Sequence, residues 1–443
     1  MLDSRAQTGV SKSLIMQSVF CVLCSVLFLP LVSYASGDEL VLQDLIDEAL
    51  RNNHEILFSR TKEQSAGFRV PQANSLPDPM LMVGYMNDGV RDLYTFDEEM
   101  AQDSQWMFSV SQMFPFPGKL PLKSEMALRD AESRQEMTDA IRLRTVARVK
   151  ELYYDLLFSY KNLDLLKDRS DLFERIEDAA LARYSTGMAP QQEVLMAQAE
   201  KFMIMEKEEM LSQKIQSLEA MLNSTVGRNA DSSLGRPQEL PRSSYGFTMD
   251  ELVHAAVSNS PEIKAQQKMI AAADAKVRMA EREYYPDITM SASYFAKNKY
   301  FQDMWSLTTS INIPIFYKTK QSQAVLEAQS MLSEADHELQ SMQLMIASAV
   351  KDNYSMLRSS QNLMALYKEA LVPKTYQDYE AALSGYTAGK VEAMTVINRL
   401  KALIDYEISY WQQFTEGEKA IARLEAITTV SSQRQAISIQ GEK

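Results

Sequence analysis

Residues 36–226 and 249–427 run through the same succession of landmarks twice, in one order and with offsets that drift by only a few positions. Leu45, Ala49, Asn52, Glu55 and Ile56 stand against Leu252, Ala256, Asn259, Glu262 and Ile263. The pair Pro77-Asp78 answers to Pro286-Asp287, and Trp106, Ser111, Pro115 and Lys119 answer to Trp305, Ser310, Pro314 and Lys318. Val149, Lys150, Tyr153 and Leu156 match Val350, Lys351, Tyr354 and Leu357, and Tyr184-Ser-Thr-Gly187 matches Tyr386-Thr-Ala-Gly389. A duplicated chain must use one supersecondary unit twice, which prunes the possible folds to those with internal pseudo-symmetry. The stretch 227–248, rich in Gly, Ser, Pro and Arg, reads as the linker between copies, and 428–443, polar and aperiodic, as a mobile tail.

Each copy carries two runs with period-two alternation, expected as strands at about 79–88 and 105–115, then 286–296 and 304–314. In the second copy Ile288, Met290, Ala292 and Tyr294 alternate with Thr289, Ser291, Ser293 and Phe295. About ten residues is the length that crosses a bilayer when tilted. Aromatic residues mark the ends: Tyr85, Trp106, Tyr294 and Trp305 form one belt, and Phe114, Phe116, Phe316 and Tyr317 the other. A soluble hairpin with one buried face is the competing reading of these runs.

After the strands come long glycine-poor stretches. Glycine is absent from Lys119 to Tyr184, and the second stretch, Lys318 to Tyr386, has none before Gly385. In a chain with 14 glycines and 14 prolines among 443 residues, this predicts helices over 119–184 and 318–386, each near 100 Å. Val149, Tyr153, Leu156, Tyr160 and Leu163 step by four and three, coiled-coil spacing that demands other helices as partners. Shorter helices are expected over 190–226 and 390–427, and Pro373 is expected to kink the second long helix.

The start of the chain reads as an export signal. Arg5 and Lys12 precede a mostly apolar stretch from Leu14 to Val32, and Ser33-Tyr34-Ala35 offers a cleavage site, so residues 1–35 are expected to be a signal peptide. Cys21 and Cys24 both lie inside it, and neither follows the small residue a lipoprotein signal requires. That leaves no cysteine for disulfides or thiolate metal sites. His54, His254 and His337 are not at metal-ligand spacing, no nucleotide-binding or hydrolase motif occurs, and Glu206, Glu208 and Glu209 read as a solvated helix face. The reading is therefore not an enzyme, with no cofactor and no resident metal. A net charge of −13 argues against nucleic acid as a partner.

Four membrane strands cannot close a barrel, and open strand edges are not tolerated in lipid. Barrels need about eight strands or more. Two chains would give eight, with the interior filled by side chains; three would give twelve and leave a lumen. The sequence points to an oligomer whose subunits share one barrel, with helices continuing it into the periplasm.

The export signal, the two copies, the strand exit Gln112-Met-Phe-Pro-Phe-Pro-Gly-Lys119 and the Tyr-x-x-Gly turns resemble the TolC family of outer-membrane efflux proteins, its heavy-metal branch in particular. The resemblance spans nearly the whole chain after the signal. It implies a mainly α protein with membrane β: a homotrimeric channel-tunnel with a twelve-stranded outer-membrane barrel and an α-helical periplasmic barrel. It implies as partners outer-membrane lipid, a periplasmic adaptor and an inner-membrane transporter of the RND type, in a Gram-negative bacterium. The function implied is the exit duct of a tripartite efflux pump. The alternatives are the exit duct of a type I protein secretion system and, in a different class, a periplasmic coiled-coil scaffold without a pore.

Site residues follow from the same resemblance. Gly187 and Gly389 would form the periplasmic tips that meet the adaptor and open the tunnel, and Pro115 and Pro314 the bends from barrel to tunnel. The archetype of the family carries aspartates after the second tip glycine; here Thr395 and Asn398 fall there, Glu392 lies near that tip, and Glu193 holds the place after Gly187. Rings of Glu193 would supply an electronegative gate; a solvated surface carboxylate is the competing reading. Aligning the copies by Tyr85/Tyr294 and Trp106/Trp305 puts Met80, Met82, Met86, Met107 and Met113 on the strand face of Thr289, Ser291, Phe295, Ser306 and Asn312, expected to be the lumen. Thioethers there suit passing contacts with Cu(I) or Ag(I); a flexible filler role is the plainer reading.

Overall fold

The structure, a computed structural model, describes residues 39–87, 104–297, 301–431 and 433–434; the expected signal peptide, the loop between the first two strands and most of the expected tail lie outside the described residues. Two short helices lead, α1 (Leu42–Asn52) and α2 (His54–Asn74), followed by strands β1 (Met80–Met86) and β2 (Gln105–Phe114). Helix α3 (Lys119–Ser185) turns into α4 (Gln191–Val226). Strand β3 (Ser243–Ser244), helices α5 (Met249–Asn259) and α6 (Pro261–Arg282), strands β4 (Ile288–Ala296) and β5 (Met304–Ile311) come next. The chain closes with α7 (Gln321–Leu366), a π turn (Tyr367–Leu371), α8 (Val372–Thr387), α9 (Ala393–Thr428) and β6 (Gln433–Arg434).

Local chemistry sets the helix starts. The Asn53 side chain accepts from the backbone N–H of Glu55 and Ile56 at the start of α2, and Thr248 and Glu251 form a reciprocal capping box at the start of α5. Helix α3 has 67 residues, roughly 100 Å at 1.5 Å per residue. It carries the seam residues Val149, Tyr153 and Leu156, each with no exposed surface. They pack with α1, α4 and Phe414 of α9 in one core. A second core nearer the helix turns joins α3, α4, α8 and α9 through Phe173, Ile176, Ala197, Tyr379 and Leu400. A third gathers α5, α7 and α9 around Leu252, Val350, Leu357 and Leu424. The Tyr153 hydroxyl donates to the carbonyls of Leu40 and Gln238, tying the segment before α1 and the linker to the long helix.

Three expectations need correction. The second long helix is not continuous over 318–386: residues 315–320 form turns, helix begins at Gln321, and the π turn at Tyr367–Leu371 separates α7 from α8. Pro373 follows that π turn closely. Its ring cannot donate a hydrogen bond and crowds the carbonyl four residues back, and a wider turn accommodates both. The strand expected to reach 314 ends at Ile311. The tail is not wholly loose, because Gln433–Arg434 pair with Ser243–Ser244 of the linker.

The main sheet is antiparallel in the order β1-β2-β4-β5, two hairpins joined through β2 and β4. Among the described residues no helix is long and apolar enough to cross a membrane.

Candidate functional site

The registers decide which side chains share a face. Met80 lies opposite Ser111, Met82 opposite Ser109 and Gly84 opposite Met107. Met107 lies opposite Phe295 and Met113 opposite Thr289, while Ser291 faces Thr308 and Ser293 faces Ser306. One face thus combines Met80, Met82, Met86, Met107 and Met113 with serines and threonines, and Ser293 hydrogen-bonds Ser109 across the hairpin joint at 2.8 Å. Met304, opposite Phe295, belongs to the same face and escaped the sequence reading. In these four strands only Met290 takes the other side.

That other side is apolar along almost its whole length: Leu81, Val83, Tyr85, Trp106, Phe108, Val110, Phe114, Ile288, Tyr294, Trp305, Leu307 and Ile311. It is uncovered, with Leu81 71% exposed and Trp305 80% exposed. A soluble hairpin would bury such a face; a strand set against lipid leaves it to the acyl chains. Tyr85 pairs with Trp106 across β1–β2, ring centroids 5.2 Å apart, and Tyr294 pairs with Trp305 across β4–β5. All four residues therefore stand at one end of the sheet, and the stacked rings of Phe116 and Tyr285 stand at the other.

Where sheet gives way to helix, Pro115 ends β2 and the chain turns into α3 at once. Buried Lys119 is the peg of this neck. Its ammonium reaches Asp287 at 2.9 Å, Glu283 at 3.2 Å and the Tyr285 carbonyl at 3.2 Å, and Asp287 also accepts from the Phe116 amide at 2.7 Å. The exit of the first hairpin is thereby locked to the entry of the second. Pro314 heads a run of turns held by Phe316 and Tyr317 carbonyls before α7 begins.

The far ends of the helices carry two matching turns. Gly187 and Gly389 both have φ of 75°, the left-handed conformation glycine accepts without penalty. Met188 donates to the Arg183 carbonyl and Lys390 to the Gly385 carbonyl, both at 2.8 Å. Glu193 is not a free carboxylate here. The buried Tyr386 hydroxyl donates to it at 2.8 Å, and the Arg183 guanidinium stands 3.9 Å away while stacking on the Tyr386 ring at 4.5 Å. Arg183 also donates to the Tyr386 carbonyl, closing a clasp between the two turns. Burial, and then the Glu193 carboxylate, push the Tyr386 phenol up to about 12. Glu392 precedes α9 and is exposed, as is Asn398, and Thr395 is half-buried; none joins the clasp. Among the described residues no group of three or more His, Cys, Asp or Glu is placed to hold a metal ion.

The sequence pattern of the family described as "Outer membrane efflux protein" matches residues 45–228 and 252–406 of this chain, two segments that bracket the linker. The chain belongs to this family. Two relatives are each 22% identical: the "Probable outer membrane lipoprotein SilC" of Salmonella typhimurium, over 81% of this chain and 79% of that protein, and the "Cobalt-zinc-cadmium resistance protein CzcC" of Cupriavidus metallidurans, over 86% and 88%. The crystal structure of the outer membrane protein VceC from Vibrio cholerae superposes with a TM-score of 0.74 at 18% identity, over 87% of this chain and 95% of that one, and shows the shared fold. This efflux protein is therefore an outer-membrane protein of the TolC family, and its helical bulk with few strands is the channel-tunnel fold. The clasp partner Arg183 and the Lys119 partners were missed in the sequence, because only the fold brings together residues that lie far apart in the chain.

Proposed function

We propose that three copies of this chain form one duct, with twelve strands closing an outer-membrane barrel and the helices, two repeats per chain, continuing it across the periplasm. The observation that carries this is the division of the sheet into an exposed apolar face and a face of methionine, serine and threonine. Lipid takes the first and a water-filled lumen the second. The duct conducts passively and performs no chemistry. It receives substrate through a periplasmic adaptor from an inner-membrane transporter of the RND type, and the adaptor meets the turns at Gly187 and Gly389.

Heavy-metal cations are the substrate class we favour. Six thioethers on the lumen face suit soft ions such as Cu(I) and Ag(I) as weak passing contacts, and a relative bears the name of a metal-resistance protein. A deletion strain is expected to lose resistance to silver and copper selectively. Wild type should restore growth, while a variant with Met80, Met82, Met86, Met107 and Met113 all changed to Ser should restore it weakly. Broad sensitivity to dyes and detergents, rescued equally by both, overturns the metal assignment and leaves the duct. Purified protein that gives no discrete conductance steps in a planar bilayer overturns the duct itself.

A further inference from the structure

Helices α2 and α6 hold the same place in the two copies, yet only α2 is capped by a side chain. Asn53 and Ser260 precede them in nearly the same backbone conformation, φ −61° and ψ 122° against φ −54° and ψ 123°. The Asn53 side chain accepts from the amides of Glu55 and Ile56. Ser260, a residue type that caps well, accepts from neither aligned amide. The amides of Glu262 and buried Ile263 have no acceptor among the described residues, and Pro261 brings no amide. The Ser260 hydroxyl makes no hydrogen bond among the described residues either, although Ser260 is only 2% exposed. Buried donors at a helix start cost free energy unless an acceptor reaches them.

Ser260 lines a cavity of about 300 Å³ where α6 begins and α9 ends, between α3 and α7. Arg423 of α9 donates through Nε to Glu151, and its two terminal nitrogens make no hydrogen bond among the described residues. Arg148 stands 3.5 Å from the same carboxylate with its side chain half exposed, and Arg144 is committed to Glu55. Three arginines thus line the cavity against two glutamates, Glu151 and the exposed Glu262, which leaves a positive excess. Asn353, 7% exposed, spends its amide nitrogen on the Ala349 carbonyl and keeps Oδ1 as an acceptor. Ala140, Ala147, Ala426 and Ile427 supply an apolar wall. Ala147 and Ala426 also line a larger cavity on the other flank of the α3–α9 contact, where Gln43 and Ile46 of α1 stand. The smaller cavity lies on the flank that α1 and the linker leave uncovered.

We propose that this cavity binds a small organic acid that carries a hydroxyl beside its carboxylate and a short apolar body. The carboxylate takes the donors that the fold leaves unpaired: the Ser260 hydroxyl, the Glu262 and Ile263 amides, and the outer nitrogens of Arg423 and Arg148. The start of a three-turn or longer helix such as α6 favours that negative charge. The hydroxyl donates to Asn353 Oδ1, and the apolar body lies on the alanines and Ile427. A cation would meet donors only at this helix start, and inorganic phosphate would leave the apolar wall unused. About 300 Å³ is the lower end for small-molecule sites, so the body is short and not a lipid tail. A ligand held this way touches α3, α6, α7 and α9 at once and pins the start of α6 to the end of α9. The site is complete within one chain and does not depend on the duct proposed above.

The probe is leucate, the hydroxy analogue of leucine, titrated into purified full-length protein and followed by calorimetry and thermal unfolding. Wild type is expected to bind it and to unfold at a higher temperature in its presence. The neutral methyl ester should bind about tenfold more weakly or worse, because hydrogen bonds to a charged group are the stronger ones. No heat and no thermal shift with leucate, or an ester that binds as tightly as the acid, overturns the site. Isocaproate, which has the same body without the hydroxyl, should bind severalfold more weakly; equal affinity overturns the contact with Asn353. Ser260→Asn copies the cap that Asn53 gives α2. It should raise the unfolding temperature of the ligand-free protein and weaken leucate about tenfold, and unchanged affinity overturns the role of the α6 start. Should that variant fail to fold, Arg148→Gln carries the test, since its side chain is half exposed. Leucate should then weaken and the ester should not, and wild-type affinity for leucate overturns recognition of the charge. Conductance in a planar bilayer remains the test of the duct, so the two readings fail separately.

Discussion

Tyr386 shows how one side chain decides a local state. It is fully buried, its hydroxyl is spent on Glu193 and its ring lies under Arg183. Tyr386→Phe removes only the hydroxyl and leaves Glu193 partly buried beside a single cation. A hydrogen bond to a charged group contributes about 1.5–3 kcal/mol, so faster hydrogen exchange of amides around 183–193 is the expected outcome. Because burial raises the phenol to about 12, the contribution of the clasp is complete below the usual tyrosine value near 10 and is lost as pH rises through about 12. Proteolysis at the turns should therefore increase in that alkaline window in wild type and show no such step in Tyr386→Phe. Glu193→Gln keeps the geometry and removes the charge. If Glu193 faces the entrance as part of a ring, cation block of single-channel current changes; unchanged block means the carboxylate serves the clasp alone.

At the scale of elements, the joint between strand and helix is where the chain changes architecture. A strand rises about 3.3 Å per residue and a helix 1.5 Å, so the chain must be re-aimed within residues 115–118. Lys119 does this by gathering two carboxylates and a carbonyl of the second hairpin while it is itself buried. Lys119→Met fills the space but strands Asp287 without its cation. The expected loss is roughly 3 kcal/mol, the low end for a broken buried pair because Asp287 keeps some contact with water. Lys119→Met together with Asp287→Leu should recover part of it, as read by thermal unfolding of the purified protein. The helix turns at Gly187 and Gly389 are the opposite case. Their Tyr-x-x-Gly pattern is readable because glycine is the residue that enters the left-handed region without penalty, whereas Pro373 signals a break in the helix without specifying that it takes the form of a π turn.

At the scale of the whole molecule, the two sheet faces predict opposite responses to the same substitution. Leu307→Arg puts a charge on the apolar face, where a cation at mid-bilayer costs about 2–4 kcal/mol; assembly into outer membranes should fall. Thr308→Arg, one residue along on the other face, should assemble normally and shift conductance toward anions. Equal assembly of both variants would show that neither face meets lipid.

The sequence by itself determined the succession of elements, the alternation of the strands and the helical seam, because each is a periodicity of two or of three and four written in neighbouring residues. It determined the family for the same reason, since landmarks such as Gln112 to Lys119 are contiguous. Alternation also fixes which residues of one strand share a face, so five of the methionines could be grouped before any fold was known. Only tertiary structure decided that β2 lies beside β4, which joins the faces of the two hairpins into one, and that Lys119 meets Asp287 and Tyr386 meets Arg183 and Glu193. These contacts join residues that are far apart in the chain. Nothing local encodes such a distance, because it is set by the packing of the helices that carry the residues to the same place.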